Sequence, residues 1–108
     1  MKPVKVALCQ LDITEEKAVN LSRAAELVGQ AARAQADFAI LPEMFVCPFA
    51  NCNFRPNAEE EGGTTVQFLS KLAKYPGLYL GAGSIPELSG GKVYNTSYFF
   101  GRDGQVLG

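Results

Sequence analysis

Two short apolar runs with an amphipathic segment between them do most to restrict the fold of this chain. Residues 4–9 (VKVALC) and 38–41 (FAIL) are each bounded by polar residues and rich in strand formers, so both read as buried strands. Between them Leu21, Ala25, Val28 and Ala32 recur at helical spacing, with Arg23, Glu26, Gln30 and Arg33 turned outward. Thr14, followed by Glu15 and Glu16, supplies a capping oxygen and negative charge for the start of that helix, which ends near residues 34–36. Strand, helix and strand in so short a span predict an α/β fold built on a right-handed parallel βαβ unit. The second strand then delivers Pro42 and Glu43 to the carboxyl end of the sheet.

Residues 44–61 mix Phe, Cys, Pro, Asn and Glu without periodicity and read as a binding loop next to Glu43. Thr64 or Thr65 can cap a second helix with Phe68, Leu69, Leu72 and Ala73 on one face, stopped by Pro76-Gly77. Residues 78–85 and 93–100 read as two antiparallel strands joined by a glycine turn at residues 89–92. A turn at Asp103-Gly104 leads into one more strand, residues 105–107. No repeat, linker or low-complexity tract divides the 108 residues.

Ten basic residues against eleven acidic ones leave no charge excess to attract nucleic acid or anionic lipid, so neither is expected as a partner. No apolar stretch approaches the roughly 20 residues of a membrane span, and the N-terminal residues 1–10 lack the apolar core of a secretory signal. A cytoplasmic location is the expectation. Three cysteines without a CxxC pair indicate neither a disulfide framework nor a thiolate zinc site, and no metal or cofactor is expected. Histidine is absent altogether, which removes Ser-His-Asp, Cys-His and HExxH chemistry. Carboxylates, lysines and thiols remain.

Among them Glu43 stands out. Ligands bind at the carboxyl ends of strands in α/β sheets, and a partly desolvated carboxylate is a better proton acceptor there. The tripeptide Leu41-Pro42-Glu43 by itself more often marks a glutamate that caps a loop or pairs with a lysine. Gly81-Ala82-Gly83-Ser84 lacks the third glycine and following helix of a dinucleotide turn, and reads instead as glycines that let a strand approach another backbone or a ligand. Cys9 reads as core filler. Cys47 and Cys52 lie in the loop beyond Glu43, either as free loop cysteines or as thiols that a carboxylate could activate. Lys71, Lys74 and Lys92 read as surface charges.

Four blocks in order, VKVALCQLDIT, FAILPEMF, GAGSIPE and YNTSYFFGRDG, resemble the nitrilase superfamily of carbon-nitrogen hydrolases, and GSIPE with YNT is most similar to its omega-amidase branch. The resemblance implies an αββα sandwich: a mixed sheet with two helices on one face and a second sheet packed on the other. On it, residues 1–108 are the N-terminal portion of one carbon-nitrogen hydrolase domain, truncated before its end. It also implies a Glu-Lys-Cys triad acting on small-molecule amides, with amidase favoured over nitrilase activity. The family glutamate falls on Glu43 as general base. Phe49, in a position where relatives often carry tyrosine, falls in the acyl pocket. The family's lysine and nucleophilic cysteine match nothing here, and Cys9, Cys47 and Cys52 do not occupy the nucleophile's position, so the chain alone is expected to be inactive.

Two other readings stand beside this one: a non-catalytic fragment acting in binding or assembly, and an unrelated nucleotide-binding domain that the incomplete glycine motif supports poorly. A sheet with helices on one face and a bare apolar face on the other is expected to self-associate, so a homo-oligomer is predicted.

Overall fold

The computed structural model describes residues 3–108; Met1 and Lys2, part of the stretch read for a secretory signal, lie outside it. The elements run β1 (Val6–Leu8), α1 (Lys17–Arg33), β2 (Phe38–Ile40), α2 (Asn51–Asn57), β3 (Glu59–Glu60), α3 (Thr64–Lys74), β4 (Tyr79–Gly81), β5 (Ile85–Ser89), β6 (Lys92–Thr96) and β7 (Phe99–Phe100). A four-stranded sheet has the order β1-β2-β4-β7, and a three-stranded sheet the order β3-β5-β6. In the larger sheet β1, β2 and β4 are parallel and β7 is antiparallel to β4, so the sheet is mixed and the expected βαβ unit is present.

The register explains where the core lies. Ala7, Ala39, Leu80 and Phe100 are paired neighbours on one face. The last three are fully buried, in one core with Val28 and Ala31 of α1 and Leu69 and Ala73 of α3. The other face carries Val6, Leu8, Phe38, Ile40, Tyr79 and Phe99. Phe38 stacks on Tyr79 at 4.9 Å between ring centroids, and the Arg102 guanidinium lies over the Tyr79 ring.

Several expectations need correction. The first strand is an edge strand rather than a buried one, with Val6 51% and Leu8 81% exposed. Helix α1 begins at Lys17, because the Thr14 hydroxyl accepts from the Glu16 N–H in a turn ahead of the helix and caps nothing in it. Its buried stripe is Asn20, Ala24, Val28 and Ala31, turned from the expected Leu21, Ala25, Val28 and Ala32, of which only Val28 is fully buried. Asn20 accounts for the rotation. Its amide donates to the carbonyls of Thr14 and Val46 and accepts the Thr14 N–H, so a buried polar side chain lies where an apolar one was sought. The loop 44–61 contains α2 and β3, so a third helix is present.

The two long strands expected over 78–85 and 93–100 each break in the middle. Their first and last parts, β4 and β7, belong to the larger sheet, while β5 and β6 form the hairpin of the smaller one. The Ala82 N–H still bonds to the Tyr98 carbonyl across the break, so one antiparallel ribbon bends from sheet to sheet. Its turn is tight: Gly90 and Gly91 both have positive φ, as a type I′ turn demands. The strand expected over 105–107 is reduced to a bridge between Phe100 and Val106.

Candidate active site

Glu43 sits where the sequence placed it, just beyond the carboxyl end of β2. Leu41 extends the pairing by donating its N–H to the Gly81 carbonyl, and the chain then turns sharply. Met44 has φ of 49°, a left-handed conformation that costs a bulky residue about 1–3 kcal/mol unless its surroundings enforce it. Two neighbours enforce it. The Ser84 hydroxyl accepts the buried Met44 N–H at 2.9 Å. Gly83, itself at φ of 57°, lets the Pro42 peptide lie against it; a Cβ there would fall 1.9 Å from the Pro42 carbonyl oxygen. Met44, Phe45, Val46 and Cys47 then run into the core, where the Val46 carbonyl accepts from Asn20.

This arrangement leaves Glu43 exposed between two buried neighbours, Leu41 and Met44. The desolvation expected of its carboxylate is therefore not supplied by these residues. What they supply is a partner: Asn95 Nδ2, reaching over from β6, donates to Glu43 Oε2 at 2.8 Å. Asn95 is paired opposite Pro86 in the hairpin, so the same ribbon that brings Gly83 and Ser84 under the turn also brings the amide to its side chain.

A cavity of about 300 Å³ opens beside this pair, lined in part by Met44, Phe49, Phe54, Arg55, Tyr94 and Asn95. Phe49 thus shares this cavity with Met44 and Asn95, is 69% exposed, and has its ring edge-on to Phe54 at 5.3 Å. Arg55, on α2, donates to the Gly91 carbonyl and bridges α2 to the hairpin turn.

The thiols divide by burial. Cys9 and Cys47 are buried, and burial pushes both up, the Ile40 backbone and Lys17 respectively offsetting part of the effect. Both stay protonated at neutral pH, as filler does. Cys52 is exposed on α2. Lys71, Lys74 and Lys92 are exposed, while Lys17 is engaged by Glu59 at 2.8 Å. Among the described residues no three His, Cys, Asp or Glu side chains could hold a metal ion, and no helix is long and apolar enough to cross a membrane.

The place of Glu43 at the end of β2 agrees with the sequence reading, which passed over the residues that hold its turn. Gly83 was read as a close-approach glycine, without the peptide it approaches. Ser84, Asn95 and Asn20 carried no signal by themselves, although Ser84 and Asn95 lie within the GAGSIPE and YNT blocks.

The Carbon-nitrogen hydrolase family model matches residues 5–108. The omega-amidase NIT2 of Danio rerio is 45% identical over 107 residues, and that of Mus musculus 43%; each alignment covers 99% of this chain and 39% of the relative. The chain thus spans about two-fifths of the length of these relatives. Among solved structures, Saccharomyces cerevisiae Nit3, a member of branch 10 of the nitrilase superfamily, superposes with a TM-score of 0.89 at 38% identity. That match covers 97% of this chain and 42% of Nit3. XC1258 from Xanthomonas campestris, a CN-hydrolase superfamily protein, superposes with a TM-score of 0.87 at 27% identity, over 99% of this chain and 40% of its own.

Proposed function

The chain belongs to the carbon-nitrogen hydrolase family, and from that premise we propose that it supplies the general base, Glu43, of an amidase acting on small non-peptide amides. The observation that carries this reading is the construction around Glu43. A carboxylate stands at the carboxyl end of a parallel strand, on a turn enforced by Gly83 and Ser84, beside a cavity and with one oxygen held by Asn95. The similarity to two omega-amidases supports amide over nitrile chemistry.

In this reading Glu43 takes the proton of a cysteine thiol as the sulfur attacks the amide carbon. The tetrahedral species collapses to a thioester as Glu43 passes that proton to the leaving nitrogen. Water then attacks the thioester, its proton going to Glu43 and on to the departing sulfur. A lysine stabilises the oxyanion in both halves. The thiol and the lysine are contributed from outside these residues, which form one portion of a single catalytic domain. Phe49 shapes the pocket for the acyl group from its place on the cavity wall.

The test is Glu43→Gln in the full-length protein, with acyl-enzyme formation on a small amide followed by mass spectrometry. Loss of the acyl-enzyme with an unchanged circular dichroism spectrum is expected, and wild-type turnover would remove Glu43 from the mechanism.

A further inference from the structure

Glu43 has a flexible side chain in water, and a general base works only if one oxygen is held within hydrogen-bond reach of the proton it takes. Backbone geometry fixes its Cα and leaves the carboxylate free to rotate. Among the described residues one side chain restrains it: Asn95, whose Nδ2 donates to Oε2 at 2.8 Å. The direction of that bond is secure, because an ionised carboxylate offers only acceptors and so the amide must turn its NH2 toward it. With Oε2 engaged, Oε1 is the oxygen left to face a thiol.

The position of Asn95 is itself fixed. It lies on β6 in an antiparallel pairing that runs from Ile85 opposite Thr96 to Ser89 opposite Lys92, closed by the Gly90-Gly91 turn. The strand it pairs with begins directly after Ser84, whose hydroxyl sets the Met44 turn. One ribbon therefore sets both the backbone of the base and the orientation of its carboxylate.

We infer that Asn95 is a positioning residue for the general base, holding Glu43 Oε2 so that Oε1 presents its lone pair to the nucleophile. The inference rests on the reading of Glu43 as general base. It goes beyond that reading in assigning a second residue, from a different sheet, to the same proton transfer. Asn95 acts through Glu43 and takes no proton itself.

The experiment uses the full-length protein and three variants: Glu43→Gln, Asn95→Ala and Asn95→Asp. Both Asn95 and Glu43 are exposed, so Asn95→Asp keeps the shape of the side chain and replaces the donor with a second carboxylate at neutral pH. At pH 7, Asn95→Ala should lower kcat about tenfold with KM little changed, as loss of an orienting hydrogen bond does. Asn95→Asp should lower it at least as far. A packing role predicts the reverse order, with the isosteric Asp tolerated.

Wild-type kcat in both Asn95 variants, with Glu43→Gln inactive, would overturn the inference and leave the base assignment standing. Activity in Glu43→Gln would overturn the base assignment itself. Full activity in Asn95→Asp beside a defective Asn95→Ala would show that Asn95 packs and does not donate.

Discussion

The Met44 N–H is buried and has the Ser84 hydroxyl as its acceptor, so Ser84→Ala should strand a backbone donor in the core. An unsatisfied buried N–H costs about 1–3 kcal/mol, and the urea midpoint should fall accordingly at unchanged slope. Ser84→Thr, which keeps the hydroxyl, should lose less, and equal midpoints for Ser84→Ala and the wild type would refute the role. Gly83→Ala is the harsher change, since the added carbon meets the Pro42 carbonyl and the residue must also hold a positive φ. It should cost more than about 3 kcal/mol and displace Glu43 with the turn. At this scale the sequence was half legible. A carboxylate directly after an apolar strand is a local pattern, and the position of Glu43 at the end of β2 could be read from it. Ser84 and Asn95 matter through contacts with residues distant in sequence, and an asparagine in an alternating strand looks like any outward-facing polar residue.

Helix α3 starts without a capping side chain of its own, and β3 provides the substitute. Glu59 accepts from the Thr65 N–H at 2.8 Å, from the hydroxyls of Thr64 and Thr65, and from Lys17 on α1, so one carboxylate ties three elements together. Burial by itself would raise the Glu59 carboxyl, but donation from Lys17 and Thr65 outweighs it and lowers the group to about 2. The folded value thus lies below the unfolded value near 4.5. The clasp contributes fully above pH 4.5 and is lost as the pH falls through that range toward 2. Glu59→Gln should cost about 1–2 kcal/mol at pH 7, less than a fully buried pair because the carboxylate still touches water, and should flatten the fall in stability between pH 5 and 3. Urea titrations at the two pH values check both points, and an unaltered pH slope in the variant would exclude Glu59 as the source. Elements were legible where local pattern decides them, as in the βαβ unit, α3 with its Pro76-Gly77 stop, and the Gly90-Gly91 hairpin. They were misread where contacts outside the element decide: Glu59 of β3 caps Thr65, Asn20 turns α1 by reaching the Val46 carbonyl, and the ribbon bends at Gly83, where Pro42 lies against it.

For the whole molecule the sheet sets the main consequence. Its inner face is closed by α1 and α3, while the outer face presents Val6, Leu8, Phe38, Ile40, Tyr79 and Phe99, with Leu8 four-fifths exposed on an edge strand. The αββα arrangement that the sequence resembles would lay a second sheet over these residues, and a chain with an open apolar sheet face and an unpaired edge has reason to associate. The 108 residues produced alone should therefore sediment as a self-associated species, its proportion rising with concentration. Leu8→Lys combined with Val6→Lys should shift the chain toward monomer, because charge on the edge strand opposes both face and edge pairing. The same pair of substitutions in a protein that carries the covering layer should instead destabilise the fold by burying two charges. A wild-type chain that remains a monomer throughout the concentration series would show that the exposed face does not drive association, and would remove the physical argument that these residues require a second layer.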